Sequence, residues 1–213
     1  MNCDFLVGDC KEILSIQQLP TRIAIVTDPP YGSNNNCNYK RFGGTAGRNN
    51  FPKIIGDDKP FDPQFFLERF PRSRMIFWGY NNFSNKLPQG SLLIWIKKRY
   101  AKMGLMMSDA EVAWMNKGIG CYVFMHEWDG WKKQSEMSIK RTHPTEKPAE
   151  LFKWCISRAK IEKGTTIIDP YMGSGKSCIA AMELGYDYIG IDIVEEYVTA
   201  AINKFQLLYG VKR

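Results

Sequence analysis

The sequence predicts an α/β fold in which helices cover both faces of a doubly wound, mostly parallel sheet. Strand and helix patterns alternate as βαβ units near both ends of the chain, at 3–28 and 165–192, and such units normally build parallel sheets. Further strand patterns lie between them, without an internal repeat. The 213 residues are enough for one domain with a large core, so we expect a single domain over 1–213.

The first βαβ unit ends in an unusual group of residues. Apolar runs predict a strand at 3–8, a short helix at 10–19 and a buried strand at 22–28. The second strand runs directly into "TDPPYG" (27–32), which contains a carboxylate, two residues that cannot donate a backbone hydrogen bond, and an aromatic ring. This stretch is either a functional site or a proline-rich surface corner.

The middle of the chain combines a long loop with short strands. Residues 33–58 are rich in Gly, Asn and basic residues and have no period, which predicts a mobile loop of a length that usually serves a function. A short helix is expected around 62–70, and an antiparallel strand pair at one edge of the sheet. Apolar runs predict strands at 74–79, 91–97, 110–115 and 121–125.

The last part of the chain repeats the βαβ pattern. Apolar residues at helical spacing predict a helix over 151–159, and Gly164 marks its end. The second βαβ unit and the last helix are predicted at 165–169, 176–185, 186–192 and 194–208.

Composition indicates a soluble, cytoplasmic protein in a reducing compartment. No apolar run is as long as a membrane span, and the first residues lack the basic start and apolar stretch of a secretory signal. The six cysteines form no C-x-x-C pair and the chain has two histidines, so we expect free thiols and no metal site. Lys and Arg exceed acids by 29 to 22, which mildly favours a polyanionic partner.

A glycine turn follows the strand at 165–169. "DPYMGSGKS" (169–177) reads as strand, glycine turn and helix, an arrangement that lets a ligand approach the backbone at a helix N-terminus. Asp192 ends the next strand, where an acid can hold the ribose hydroxyls of a nucleoside. The alternative is a tight corner that needs small residues. A P-loop would need a glycine where Pro170 stands, which disfavours an NTPase.

Four motifs together resemble a known family. "TDPPYG", "HPTEKP" (143–148), "DPYMGSG" and "YIGIDI" occur in the order of the β-class DNA amino-methyltransferases, which transfer a methyl group from S-adenosylmethionine to an exocyclic amine. The resemblance covers 4–32 and 140–208 and is weaker at "SLLIWIKKR" and "SDAEVAWM". It implies a circularly permuted class I methyltransferase-like sheet, in which the strand ending in "VGD" lies beside the strand ending in "GID".

The resemblance implies S-adenosylmethionine as the cofactor and assigns residues to it. Gly173 and Gly175 would lie against its methionine end, Asp169 near its amino group and Asp192 on its ribose. The full set of cofactor candidates is Asp9, Cys10, Thr145, Lys147, Asp169, Pro170, Gly173, Ser174, Gly175 and Asp192.

Some of these assignments have structural alternatives, and one neighbouring position departs from the family pattern. Asp9 matches an adenine-contacting acid but is equally well an N-cap. Thr145 and Lys147 match positions that contact the cofactor carboxylate, although Thr145 could instead cap the next helix. Lys176 stands where the family most often has Thr, so it either strengthens carboxylate binding or faces solvent.

The first motif suits catalysis on an amine, with Asp28, Pro29, Pro30 and Tyr31 as the catalytic candidates. An exocyclic amine is a poor nucleophile, and the Asp28 carboxylate and Pro29 carbonyl could accept its two hydrogens as charge develops. The prolines fix the backbone. Tyr31 could stack on a base flipped out of the duplex.

The chain is expected to divide into four functional segments and to bind double-stranded DNA. These segments are a catalytic half at 1–32, the mobile loop at 33–58, a DNA-recognition segment at 97–142 and a cofactor-binding half at 143–213. A homodimer and a cognate restriction enzyme stay open as partners. Trp128 and Trp131 could fill the hole that the flipped base leaves in the duplex, or they could pack in the core. Phosphate-contact candidates are Arg41, Arg48, Lys97, Lys98, Arg99, Lys132, Lys133, Lys140 and Arg141.

The predicted reaction is methylation of adenine N6 in DNA. Asp at the first motif position resembles adenine-N6 enzymes, whereas cytosine-N4 enzymes more often have Ser there. No proline precedes a cysteine, so cytosine carbon-5 methylation is disfavoured. The alternatives are a cytosine-N4 enzyme, a non-catalytic DNA-binding relic of the same fold, and an RNA or protein amine methyltransferase.

Overall fold

The computed structural model describes residues 1–34, 54–104, 108–128, 134–135 and 146–210. The strands are β1 (Cys3–Val7), β2 (Ile23–Thr27), β3 (Arg74–Trp78), β4 (Ser91–Ile96), β5 (Ala110–Met115), β6 (Cys121–Met125), β7 (Thr166–Asp169) and β8 (Asp187–Asp192). The helices are α1 (Cys10–Ile16), α2 (Gln64–Arg69), α3 (Tyr80–Phe83), α4 (Ala149–Arg158), α5 (Lys176–Glu183) and α6 (Glu195–Tyr209). Short 3-10 turns occur at Ser84–Lys86 and Tyr100–Lys102.

The eight strands form one mostly parallel sheet in the order β1-β8-β7-β2-β3-β5-β4-β6. β5 runs antiparallel to both of its neighbours, β3 and β4, and the other pairings are parallel. This confirms the predicted α/β class and the antiparallel pairing. The antiparallel strand lies third from the end of the sheet, because β6 adds to β4 in parallel beyond it.

Successive residues of the central strands point into two separate cores, as the strand period requires. Ala24 and Val26 of β2 lie in the core shared with α4, α5 and α6, whereas Ile25 lies in the core shared with α1, α2 and α3. Ile167 and Ile168 of β7 divide in the same way. Both faces of the sheet are therefore covered, which explains why these strands read as continuous apolar runs.

The sheet order brings sequence-distant strands together. β1 pairs with β8, with Val7 opposite Asp192, and β2 pairs with β7, with Ile25 opposite Ile168. The neighbouring positions of "VGD" and "GID" expected from the permutation are confirmed. Because β1, β8, β7 and β2 are parallel, their carboxyl ends share one edge of the sheet, where ligands bind in open α/β folds.

Some sequence expectations are refined by the packing. α1 ends at Ile16, three residues before the predicted end. Trp128 is buried in the core, where its indole N–H donates to the Glu146 carbonyl at 3.1 Å, so it is a packing residue. None of the helices in the described part of the chain has the length and apolar character needed to cross a bilayer.

Candidate active site

A cleft of about 620 Å³ opens at the carboxyl edge of the four parallel strands. Residues that follow β2 form one wall, and residues of the glycine turn form the other. The "TDPPYG" stretch therefore faces the "DPYMGSG" stretch across a single cavity. The lining residues from three of the predicted motifs are Asp28, Pro29, Pro30, Tyr31, Pro170, Tyr171, Gly173 and Asp192.

Asp28 is held from both sides at the end of β2. The Tyr31 hydroxyl donates to Asp28 Oδ1 at 2.5 Å, and Lys147 Nζ donates to Oδ2 at 2.5 Å. Lys147 Nζ also donates to the Tyr31 hydroxyl at 3.0 Å and reaches Glu111 Oε2 at 3.0 Å. Both carboxylate oxygens act as acceptors, which is the pattern of an ionised Asp28.

The electrostatics around Asp28 combine burial with opposite charges. Burial raises the pKa of Asp28, while the charge of Lys147 acts in the opposite direction. Burial lowers the pKa of Lys147, but the charges of Asp28 and Glu111 outweigh it and leave that pKa well above its usual value. Burial likewise raises the pKa of Glu111, yet Lys147 and Lys97 lower it to about 2. Lys147 and Glu111 are therefore charged at neutral pH.

The backbone after Asp28 is fixed by a residue from the far end of the predicted loop. Asp57, which is 2% exposed, accepts hydrogen bonds from the backbone N–H of Gly32 at 3.0 Å and of Ser33 at 3.1 Å. A Cβ on Gly32 would lie 2.5 Å from the backbone of Lys59. Residues 54–57 line the cleft, while 35–53 lie outside the described residues.

The glycine turn is tied to the end of β8. Asp192 accepts hydrogen bonds from the backbone N–H of Gly173 at 2.9 Å on Oδ2 and of Val194 at 2.9 Å on Oδ1. Burial raises the pKa of Asp192, and these backbone donors oppose that rise. The carboxylate is held rigidly at the cleft wall, with acceptor capacity left on each oxygen.

Asp169 lies behind the cleft rather than in it. Its carboxylate is 2% exposed and accepts from Thr27 Oγ1 at 2.6 Å, Ser177 Oγ at 2.5 Å and the backbone N–H of Tyr171 at 3.1 Å. Burial raises the pKa of Asp169 to about 6, despite the hydrogen bonds. Asp169 organises the turn, and Tyr171 and Gly173 form the surface that a ligand would meet.

The end of the glycine turn packs against helices. Gly175 has φ +70°, and a Cβ there would lie 2.8 Å from the Ala201 Cβ of α6. Ser174 is 8% exposed. Lys176 neither faces solvent nor lines the cleft: it is 3% exposed, and its Nζ lies 3.2 Å from Glu146 Oε1. The solvent-facing alternative for Lys176 is therefore wrong, whereas its contact with the cofactor carboxylate stays a prediction.

The remaining cofactor candidates differ in position. Asp9 is an N-cap, since its Oδ1 accepts from Lys11 N at 2.7 Å and Glu12 N at 3.2 Å, and it also lines the cleft. Cys10 lines the cleft as well, and burial raises its pKa to about 11. Lys147 contacts Asp28 instead of the glycine turn. Thr145 lies outside the described residues.

The three described phosphate-contact candidates are each paired with a carboxylate. Lys97 Nζ lies 2.7 Å from Glu111 Oε1 and Lys98 Nζ lies 2.9 Å from Asp109 Oδ1, with side chains 17% and 8% exposed. Neither is well placed to meet a phosphate. Arg99 pairs with Glu127 at 2.8 Å but is 67% exposed. The candidates Arg41, Arg48, Lys132, Lys133, Lys140 and Arg141, together with Trp131, lie outside the described residues.

Sequence reasoning missed two residues that shape the site. Glu111 is the single charged residue within the apolar run "AEVAWM". Because charged side chains are rarely buried unless they are paired, a charge within such a strand indicates a partner of opposite charge. Asp57 sits in "GDDKP", which reads as an ordinary loop and carries no comparable signal. Val194 and Tyr197, at the beginning of the predicted last helix, also line the cleft, so this end of the helix serves the site.

Comparison with known proteins places the chain in a family. The family model described as DNA methylase, of the N6/N4 type, matches residues 94–203, which is more than half of the chain. The chain belongs to the N6/N4 DNA methylase family. The match includes the glycine turn, Asp192, Lys147 and the Glu111 that pairs with Lys147.

The curated relatives align with only part of this chain, and this chain spans only part of their length. The type II methyltransferase M1.MboII of Moraxella bovis is 39% identical over 70 residues, which are 33% of this chain and 26% of that protein. Across three such relatives the alignment spans 26–29% of their length.

Solved structures share the fold over nearly the whole chain. The M1.HpyAVI complex with SAM has a TM-score of 0.58 at 22% identity, covering 95% of this chain and 99% of that one. The cytosine-N4-specific PvuII DNA methyltransferase has a TM-score of 0.60 at 16% identity, covering 96% and 86%. These similarities establish the fold, which is the methyltransferase-like sheet predicted from the motifs.

Proposed function

We propose that this chain transfers a methyl group from S-adenosylmethionine to the exocyclic N6 amine of adenine in double-stranded DNA. The observation that carries the proposal is the shared cleft: Asp28 and Tyr31 line one side, and Gly173 and Asp192 line the other. A donor and an acceptor held in one cavity can react without either diffusing away. Family membership supports the reaction class.

The cleft fits a nucleoside cofactor by size and by chemistry. Its volume of about 620 Å³ falls within the usual range of ligand sites. Asp192 offers acceptor lone pairs to ribose hydroxyls, and Asp9 uses Oδ1 for capping, so Oδ2 is the oxygen that can meet a ligand amine. Phe61 and Tyr171 supply aromatic walls. When bound, S-adenosylmethionine supplies an electrophilic methyl group on a sulfonium centre.

Asp28 and the Pro29 carbonyl are the proposed acceptors for the target amine. A carboxylate has about four lone-pair positions, so Asp28 can accept an amine hydrogen while it holds Tyr31 and Lys147. Hydrogen bonds to both amine hydrogens favour positive charge on nitrogen as its bond to carbon forms. One of those protons is then lost to Asp28 or to water.

Tyr31 is the proposed platform for the target base. Its ring lies against Gly79, where a Cβ would lie 2.1 Å from Tyr31 Cε1, so the ring cannot retreat from the cleft. A base must leave the duplex to reach Asp28, and stacking on an aromatic ring contributes about 1–3 kcal/mol per base. Arg99 and the candidates outside the described residues would contact phosphates.

A second candidate reaction is methylation of cytosine N4. The structural similarity to the cytosine-N4-specific PvuII enzyme favours it, whereas Asp28 at the first motif position favours adenine. Both bases present the same flat exocyclic amine, so one acceptor pair serves either. The type II name of M1.MboII supports a cognate restriction enzyme as a partner of this chain.

The proposal is tested with labelled S-adenosylmethionine and mixed-sequence double-stranded DNA. Digestion to nucleosides should place the label on N6-methyladenine. Label on N4-methylcytosine would select the second candidate. Matched RNA and peptide mixtures are the competing substrates, and label on either of them would overturn the DNA assignment. Cofactor binding in a calorimeter without transfer to DNA, RNA or peptide would identify a non-catalytic relic.

A further inference from the structure

A partly buried network of charges connects Asp28 to strand β5. Lys97 Nζ lies 2.7 Å from Glu111 Oε1, and Glu111 Oε2 lies 3.0 Å from Lys147 Nζ. Lys147 Nζ in turn lies 2.5 Å from Asp28 Oδ2. We call Lys97, Glu111, Lys147, Asp28 and Tyr31 the Asp28 network. Its members come from four separate parts of the chain, so the fold and not local sequence assembles it.

Lys147 has used all of its donors within this network. An ammonium group carries three N–H donors and no acceptor. Asp28 Oδ2, Glu111 Oε2 and the Tyr31 hydroxyl lie at 2.5, 3.0 and 3.0 Å from Nζ. The Lys147 side chain is 5% exposed. A contact with a cofactor carboxylate, which the resemblance implied, would require Lys147 to give up one of these partners.

We propose that Lys147, anchored by Glu111, is a positioning residue that keeps Asp28 ionised and aims its remaining lone pairs at the target amine. The role of Asp28 as amine acceptor rests on the proposed function. Lys147 acts through Asp28 and does not touch the reacting atoms. Glu111 acts one step further away, because it fixes the ammonium that fixes the carboxylate.

The charges around Asp28 predict the direction in which the pH dependence of activity shifts when Lys147 or Glu111 is replaced. The groups that face Asp28 are Tyr31 on its own loop, Lys147, Glu111 on β5 and Asp169 on β7. Burial and the charge of Glu111 raise the pKa of Asp28, and Lys147 lowers it. Asp28 must be ionised to accept, so activity falls as pH drops through that pKa. Loss of Lys147 moves this acid limb to higher pH, and loss of the Glu111 charge moves it to lower pH.

The first experiment measures kcat against pH for Lys147→Met and Glu111→Gln. Lys147→Met should lower kcat at neutral pH by about a hundredfold, with recovery as the pH rises. Glu111→Gln should lower kcat less and shift the acid limb in the opposite direction. Lys147→Arg keeps the charge and should hold the acid limb near its wild-type position. Acid limbs that shift in the same direction in the two neutral variants would overturn the proposal.

Matched controls separate positioning from general structure and from cofactor binding. Lys153→Met removes a lysine that pairs with Glu150 of its own helix α4 and with Glu183 of α5, outside the Asp28 network, and should leave the pH profile unchanged. The affinity for S-adenosylmethionine, measured by calorimetry, should change little in Lys147→Met. A large loss of that affinity with an unmoved acid limb would assign Lys147 to the cofactor. If Lys147→Met does not fold, the direction of the Glu111→Gln shift decides.

A second readout needs no activity and so separates this inference from the proposed function. Infrared difference spectra of Lys147→Met against Lys147→Met/Asp28→Asn should show the carbonyl stretch of a protonated carboxylic acid at neutral pH. The difference spectrum of the wild type against Asp28→Asn should show the bands of an ionised carboxylate instead. A carboxylate in both pairs would refute the role of Lys147. A wild-type enzyme that transfers no methyl group would refute the proposed function and leave this result standing.

Discussion

The Thr27 hydroxyl donates a hydrogen bond to Asp169 Oδ1 at 2.6 Å, across 142 positions of sequence. Thr27 precedes the acceptor Asp28, and Asp169 begins the glycine turn. Both side chains are buried, at 0% and 2% exposure, on the adjacent parallel strands β2 and β7. This bond sets the separation between the two walls of the cleft, because neither strand end can shift without breaking it.

Thr27→Val should destabilise the protein without changing its shape. Valine fills the same volume but leaves a buried Asp169 oxygen without one of its donors, at a cost of about 1–3 kcal/mol. Urea unfolding should show a lower midpoint at an unchanged slope. Thr27→Ser keeps the hydroxyl and is the matched control. Equal losses in both variants would mean that the methyl group, and not the hydrogen bond, is what matters.

Asp169 makes stability fall as the pH rises. Its pKa is raised from 3.8 to about 6 by burial, so the folded protein holds a proton that the unfolded chain has released. The stability that this proton contributes is complete below pH 3.8 and is lost as the pH rises through about 6. Asp169→Asn cannot ionise and should not show this loss.

Chemical denaturation at pH values from about 4 to about 7 checks this prediction. Over this range the free energy of unfolding of Asp169→Asn should rise by about 3 kcal/mol relative to that of the wild type. Asp192 also has a raised pKa, but it is present in both proteins and cancels in the comparison. Asp28 does not cancel completely, because its charge contributes to the raised pKa of Asp169, although burial is the larger cause. A difference that stays constant across this range would contradict the assignment of a titrating Asp169.

Substitutions of Asp28 and Asp192 should affect methyl transfer and cofactor binding separately. Asp28→Ala removes the amine acceptor and should abolish methyl transfer while sparing the affinity for S-adenosylmethionine. Asp192→Ala removes the acceptor proposed for ribose hydroxyls and should weaken that affinity about tenfold or more. Calorimetry for binding and labelled transfer for turnover check both. Near-normal turnover in Asp28→Ala would show that another group accepts the amine.

The elements and both motifs could be predicted from sequence because each leaves a local pattern. Continuous apolar runs predicted β2 and β7, and the glycine turn marked the beginning of α5. Long-range partners leave no such pattern. Lys97 and Lys98 read as free surface charge, since the sequence does not display Glu111 and Asp109 opposite them. Lys147 lies 119 positions from Asp28, so only the sheet order brings the two together.

Lys176 and Glu146 should behave as a buried pair in a mutant cycle. Their charged atoms lie 3.2 Å apart at 3% and 0% side-chain exposure, with Lys204 Nζ 4.0 Å from the same oxygen. Lys176→Met leaves the Glu146 charge poorly compensated, at a cost of about 3 kcal/mol. Lys176→Met/Glu146→Gln removes both charges and should recover much of that loss in urea unfolding. Costs that simply add in the double variant would show that the two residues do not interact.

Gly175 should be required for helix packing, and not only for a ligand to approach. Its φ of +70° is unfavourable for alanine, and an alanine Cβ would lie 2.8 Å from the Cβ of Ala201, inside the contact distance of two carbon atoms. Gly175→Ala therefore combines about 1 kcal/mol of backbone strain with about 1–3 kcal/mol of overpacking between α5 and α6.

Gly210, at the end of α6, provides the matched control. It has φ +64° and open space around its Cβ position, so Gly210→Ala carries the backbone cost alone. Denaturant unfolding of both variants should show the larger loss for Gly175→Ala. Gly175→Ala/Ala201→Gly should lose less stability than the sum of its two single variants, because glycine at position 201 costs about 1 kcal/mol inside α6 but relieves the overpacking. If Gly175→Ala and Gly210→Ala lose equal stability, the close approach of α5 to α6 contributes nothing, and the glycine would have to be explained by the ligand instead.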